Sequence, residues 1–261
     1  MKWLITFLGI LCIAGIIVFF VKNQNKENVN VLPATTVNAT STPTPTIALK
    51  QSIVLDIEGI PIRISWQIVN PEEVELYSNL KVQQLSEQIK VDKSCSVLIN
   101  GGFYSKENTH LGLFTSNYDI ISQSIQSATH NGFLWIDSNN VSIGNNPPDA
   151  NVRIAIQSGP LLLKDGEPLL LKINNDEPSR RIVAGITNDN KLIFLALYRD
   201  SAEYEGPKLG LLPEIISLFR KQTNINVVDA INLDGGSASI FITNYVRLNE
   251  LAHIGSYFCV R

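Results

Sequence analysis

The stretch Ala230-Ile231-Asn232-Leu233-Asp234-Gly235-Gly236-Ser237 (AINLDGGS) runs from an apolar segment directly into a carboxylate, two glycines and a hydroxyl. Val227 to Leu233 (VVDAINL) is short, apolar and β-branched, which reads as a buried strand ending at Asp234. The two glycines lift the steric barrier that a Cβ imposes and let another group approach the main chain. An Asp-Gly pair is also the commonest signature of a hairpin turn, so a plain turn is the competing reading. A second stretch of the same kind, Asn100-Gly101-Gly102-Phe103-Tyr104 (NGGFY), favours a site over a turn.

Working outward, three strand-like segments end in small-residue turns: LINGGFY, AIQSGPLL and INLDGGSAS. Such turns expose main-chain N–H groups that suit anions. Asp234 adds a carboxylate. Asn100, Gln157, Ser158 and Ser237 add neutral hydrogen-bonding groups, and Arg180 and Arg181 add guanidinium groups that match a phosphate with paired hydrogen bonds. If the three turns converge, they suit a ligand that carries both a sugar and a phosphate.

The remaining pattern is mostly strand. SIVLDIE and PIRISWQIV alternate around Gly59-Ile60-Pro61 as a hairpin. GFLWID and VSIG flank Ser138-Asn139-Asn140, VRIAIQSGPLLL and EPLLL flank Lys164-Asp165-Gly166, and RIVAGIT and KLIFLALY flank Asn188-Asp189-Asn190. Leu80, Val82, Leu85 and Ile89 predict a helix over Tyr77 to Val91, and Pro207 to Gln222 predicts a second. The expected fold class is α+β: a mixed, largely antiparallel sheet with a few helices, in a single domain over residues 50–261.

That domain is expected to follow an N-terminal transmembrane helix. Trp3 to Val21 carries no charge and is long enough to span a bilayer, which predicts an uncleaved signal anchor over residues 1–22. Lysines flank it on both sides, so charge does not fix its orientation. Residues 23–49 are rich in Thr, Asn and Pro, a composition that behaves as a linker. An anchor followed by a spacer predicts a single-pass membrane protein whose soluble domain is extracytoplasmic. In such a compartment Cys95 and Cys259 could form a disulfide; two buried free thiols are the alternative.

A formal charge of −3 and the absence of a basic cluster argue against a nucleic-acid partner. No His/Cys cluster has zinc spacing, so neither a cofactor nor a metal is expected. A divalent cation such as calcium at Asp234 stays open as the alternative, although calcium would want more oxygen ligands than the motifs name.

The ordered series NGGFY, QSGPLLLKDGEP, SRRIVAGITNDNKLIFLAL and AINLDGGSAS resembles the phosphodiester glycosidase family, over roughly Ser94 to Ile242. The resemblance implies hydrolysis at the anomeric carbon of a sugar 1-phosphodiester, with a glycan phosphodiester as partner. It implies that Asn100, Gly101, Gly102 and Phe103 line the pocket and that Gln157, Ser158, Gly159 and Pro160 form a second wall. Arg181, with Arg180 beside it, would meet the phosphate, and Asp234 with Gly235, Gly236 and Ser237 would form the centre. This chain departs from the family pattern in having Ile182 after the arginines, where a threonine is usual, and Ser237-Ala238-Ser239 after Gly235-Gly236.

A departing phosphomonoester needs little protonation, so the usual pair of carboxylates can reduce to one. Asp234 would orient water or stabilise the cationic sugar carbon, while Arg181 neutralises the phosphate. Glu205, or its neighbour Glu203, is the candidate second acid or base, with His110 as a further option; each has a bland alternative as a solvated or capping residue. The expected function is a membrane-tethered hydrolase acting on envelope glycans. The alternatives are a non-catalytic glycan-binding module and a lyase using Tyr104 as base.

Overall fold

The computed structural model describes residues 51–261; the expected anchor and linker lie outside the described residues. Three antiparallel sheets share one core. The largest runs in the order Ser52–Ile57, Ile60–Val69, Leu192–Arg199, Arg181–Thr187, Val227–Asn232, Leu161–Lys164, Glu167–Pro168. A five-stranded sheet is ordered Arg247–Leu248, Phe241–Ile242, Val97–Asn100, Ser256–Val260, Val74–Ser78. The other is ordered Asp119–Ser122, Phe114–Ser116, Ile154–Ser158, Gly132–Asp137, Asn140–Gly144. The α+β class therefore holds, with its β content divided among three sheets.

All three sheets contribute to one buried cluster, in which Phe114, Phe194, Phe241 and Phe258 meet Ile99, Ile156 and Ile231. The outer face of the largest sheet is covered by the helix Leu212–Thr223, which buries Leu212, Ile215, Ile216 and Phe219 against Val183, Leu195 and Ala230. That helix starts five residues later than Pro207, with Pro213 in its first turn, where a missing N–H costs nothing.

Two local expectations need correction. The helix predicted over Tyr77 to Val91 is confined to Ser86–Lys93, while Val74–Ser78 is a strand paired to Ser256–Val260. Of the apolar residues that suggested it, Leu80 and Ile89 are buried, whereas Val82 and Leu85 face solvent. Pairing of Tyr77 with Tyr257 outweighs the helical spacing. The segment VRIAIQSGPLLL is not one strand either. It breaks at Gly159-Pro160, so Ile154–Ser158 and Leu161–Lys164 join different sheets. This break places Gln157 and Ser158 at a sheet junction.

Cys95 and Cys259 form a disulfide with Cα atoms 5.3 Å apart. It lies in a cluster with Ile89, Leu98 and Ile254 and closes a loop across a separation of 164 residues. By loop-closure entropy such a crosslink is worth about 5 kcal/mol. Reduction should therefore lower the melting temperature by ten degrees or so or more, read by calorimetry with and without reductant. An unchanged transition after confirmed reduction would show that the bond contributes little to stability.

Candidate active site

The two glycine-rich loops meet through Asn100. Its side chain is 1 % exposed. Asn100 Nδ2 donates to the carbonyl of Asp234 at 2.8 Å and to that of Gly101 at 3.1 Å, and its Oδ1 accepts the Ile240 N–H at 2.9 Å. The Asp234 N–H donates to the Gly101 carbonyl at 3.1 Å. The ends of strands Val97–Asn100 and Val227–Asn232, in two different sheets, are thus tied at one point.

The glycines are required by the closeness of this junction. A Cβ on Gly101 would lie 2.3 Å from Ser256 Oγ, and one on Gly235 would lie 2.8 Å from the Arg180 carbonyl. Gly236 adopts φ +62°, a left-handed conformation, and donates its N–H to that same carbonyl at 2.9 Å.

Asp234 is the chemically distinctive group here. Burial pushes its carboxyl up to about 7, opposed by the Gly235 N–H that donates to Oδ1 at 2.9 Å. No basic side chain forms an ion pair with it among the described residues. Tyr104 is close enough to sense its charge: burial, and then the Asp234 carboxylate, raise the phenol above its ordinary value. The Tyr104 hydroxyl donates to the His253 carbonyl at 2.7 Å. A phenol held in its neutral form this way is unsuited to the base role that a lyase would need.

The twin arginines divide. Arg180 has no exposed surface. Its Nε donates to Ser239 Oγ at 2.7 Å, and its Nη2 donates to the carbonyls of Ser239 and Asn249 at 2.5 and 2.6 Å. Its guanidinium faces protein, so the ligand-facing role expected for it gives way to a loop-fixing one. Arg181 lies beside the site: its Cδ would be 3.8 Å from a Cβ on Gly235. Its Nη2 pairs with Asp176 at 3.4 Å and donates to the Glu177 carbonyl, while its Nε donates to the Pro207 carbonyl at 3.2 Å. Asp176 also accepts the N–H groups of Leu209 and Gly210. Nothing in the sequence marked Asp176; the acid-rich run before the arginines, NNDEPSRR, was the available signal.

Gln157 and Ser158 are buried in structural roles. Gln157 Oε1 accepts from Leu113 and Ile125, and its Nε2 donates to the carbonyls of Ile125 and His130. Ser158 Oγ donates to the Asn232 carbonyl at 2.7 Å, and the Gly159 N–H donates there too. Phe103 follows the NGG turn and packs on His130 with ring centroids 4.8 Å apart. His130 had no motif to announce it. Ser237 is exposed beside the Asp234 turn.

Two candidates stand apart from this junction. Glu205 is at the surface, paired with Arg199 at 2.7 Å, and makes no hydrogen bond to the Asp234 turn among the described residues. His110 stacks on Phe114 at 3.8 Å, contacts Ser78 Oγ at 2.9 Å, and is driven by burial down to about 4. The site therefore centres on one carboxyl group. Clefts of about 770, 850 and 750 Å³ do not include Asp234 in their linings, so volume alone points away from it. A half-buried carboxyl with a raised pKa at a loop junction is the stronger marker of chemistry. No group of three or more His, Cys, Asp or Glu is placed to hold a metal among the described residues.

The comparisons with known proteins bear on the fold and the family. A search of curated proteins finds no match. Among solved structures, the fold is similar to the catalytic domain of zebrafish N-acetylglucosamine-1-phosphodiester alpha-N-acetylglucosaminidase, auto-inhibited by its pro-peptide. That match has a TM-score of 0.59 and 16% identity, and covers 80% of this chain and 81% of that one. A protein from Synechocystis matches with a TM-score of 0.56 at 15% identity, covering 80% of this chain and 61% of its own. A protein from Burkholderia pseudomallei matches with a TM-score of 0.52 at 9% identity, covering 77% of this chain and 74% of its own. At such identities these likenesses concern the fold. The family model for phosphodiester glycosidases matches residues 93–260, which include both glycine-rich loops and both arginines, and the chain belongs to that family.

Proposed function

We propose that the domain hydrolyses a sugar 1-phosphodiester, with Asp234 as the group that activates water. The observation that carries this reading is the half-buried Asp234 carboxyl, poised near neutrality where the NGG and DGG turns join, with Arg181 beside Gly235. Water attacks the anomeric carbon and gives its proton to Asp234. The bond from that carbon to the phosphate oxygen breaks, and the electron pair leaves with the phosphate. Arg181, whose side chain runs beside Gly235, is the guanidinium assigned to receive the departing charge. A phosphomonoester leaves readily, so the lack of a second acid at the junction fits the chemistry.

The substrate we infer is an envelope glycan or glycopolymer, and the domain is held outside the cytoplasm by the N-terminal apolar segment. The Cys95–Cys259 disulfide supports this, because such bonds persist in oxidising compartments. A second reading, a non-catalytic glycan-binding module, draws on Arg181 being already engaged by Asp176, Glu177 and Pro207. Incubating the protein with UDP-N-acetylglucosamine and a model sugar 1-phosphodiester separates the two. Released sugar supports the hydrolase, whereas binding without release supports the module.

The pH dependence follows from Asp234. A base must be ionised, so kcat/KM should rise about tenfold per pH unit below about 7 and level off above it. A profile that falls as pH rises through the same range would make Asp234 the acid instead.

A further inference from the structure

A cleft of about 850 Å³ lies next to this junction, lined by Gln126, His130, Asn131, Phe133, Asn145 and Asn146 among others. The ionisable side chain in its lining is His130; no Asp, Glu, Lys or Arg contributes. Other clefts differ in this respect. One is lined by Arg63, Asp200 and Arg247, and another by Asp149, Lys164 and Asp229. A lining of amides, hydroxyls, an imidazole and a phenyl ring suits uncharged hydroxyl-rich ligands, with donors and acceptors for hydroxyls and an apolar face for a sugar ring.

The cleft is connected to the junction and built in advance. His130 is shared between them: it lines the cleft and packs on Phe103, two residues after Gly101, whose carbonyl holds the Asp234 N–H. The loop carrying it is fixed by Gln157, whose amide makes four hydrogen bonds to Leu113, Ile125 and His130. The Asn131 side chain accepts the Leu161 N–H at 3.0 Å. A wall that is already ordered loses little freedom when a ligand arrives. Nδ1 of His130 sits near Ser127 and Thr129, while Nε2 has no protein partner among the described residues. Burial lowers His130 below its ordinary value, which keeps it neutral and able to bond a hydroxyl.

Arg181 lies beside Gly235, the residue after Asp234, whereas Phe103 and His130 pack together next to the NGG turn whose Gly101 carbonyl accepts the Asp234 N–H. We propose that this cleft binds an uncharged saccharide unit on the sugar side of the substrate, away from the phosphate. The inference rests on the hydrolase reading for the word substrate, and on the cleft itself for the chemistry of its ligand.

The test is direct binding, separate from turnover. The protein is titrated with chitobiose, maltose and lactose, followed by calorimetry or ligand-observed NMR, with an anionic hyaluronan disaccharide as comparison. At least one neutral disaccharide should bind. Asn146→Ala and His130→Ala should each weaken that binding about tenfold, the exposed Asn146→Ala without shifting the melting temperature, and Glu205→Gln, at the surface away from the junction, should leave binding unchanged. Absence of binding by all three neutral sugars overturns the proposal. So does preference for the anionic disaccharide, or binding unaffected by both cleft variants. If the sugars bind as expected but the protein releases nothing from any sugar phosphodiester, the cleft assignment stands and the hydrolase reading fails.

Discussion

Asp234→Asn is expected to lower kcat/KM by about 10³-fold while leaving the fold intact. Asn is isosteric and can still accept the Gly235 N–H, so the turn keeps its shape. It cannot take a proton from water. The same substitution should stabilise the protein at alkaline pH. The carboxyl ionises near 4 in the unfolded chain and near 7 in the folded one. Its contribution to stability is therefore fully present below about pH 4 and is lost as pH rises through 7. At pH 8 the variant should exceed the parent by about 2–4 kcal/mol, and near pH 4 the two should converge. Urea unfolding at the two pH values, with rates on a sugar 1-phosphodiester, checks both parts. Activity within threefold of the parent would remove Asp234 from the mechanism.

Arg180→Ala should be the most disruptive single change near the site, at about 3–5 kcal/mol. It empties a fully buried space and strands the Ser239 and Asn249 carbonyls. That is a large share of the 5–15 kcal/mol that holds a typical domain together, so poor yield or a sharply lowered melting temperature is the expected readout. Arg180→Lys should recover little, since one ammonium cannot reproduce a guanidinium's planar fork to Ser239 and Asn249. Arg181→Ala should behave differently. Its guanidinium pairs with the mostly buried Asp176, so the loss should raise KM for a phosphodiester and also cost some stability, less than at the fully buried Arg180. A stable Arg180→Ala protein with weakened substrate binding would reverse this division.

The adjacent pair of arginines shows where sequence reading stops. Successive residues in a strand point to opposite faces. One arginine beside the site implies that its neighbour points away, but the chain does not state which. Only the packing of Ser239 and Asn249 around Arg180 decided it. Glu205 is a similar case. Its loop follows a strand, as expected, and nothing local reveals that its partner is Arg199 at the surface and not a substrate. The helical spacing from Leu80 to Ile89 was real, yet strand pairing at Tyr77 took precedence.

The sequence by itself determined the β-rich α+β class, the hairpins and the two glycine-rich turns. These are local properties: alternation along a strand and the absence of a Cβ where a turn needs it. It also determined the family, through the order of its motifs. Tertiary structure alone decided that Asn100 joins those turns, that Cys95 meets Cys259, and that His130 and Asp176 stand near the chemistry. The Asn100–Asp234 and Cys95–Cys259 contacts join segments more than a hundred residues apart, and the raised pKa of Asp234 is a property of that shared enclosure, which no short stretch of chain encodes.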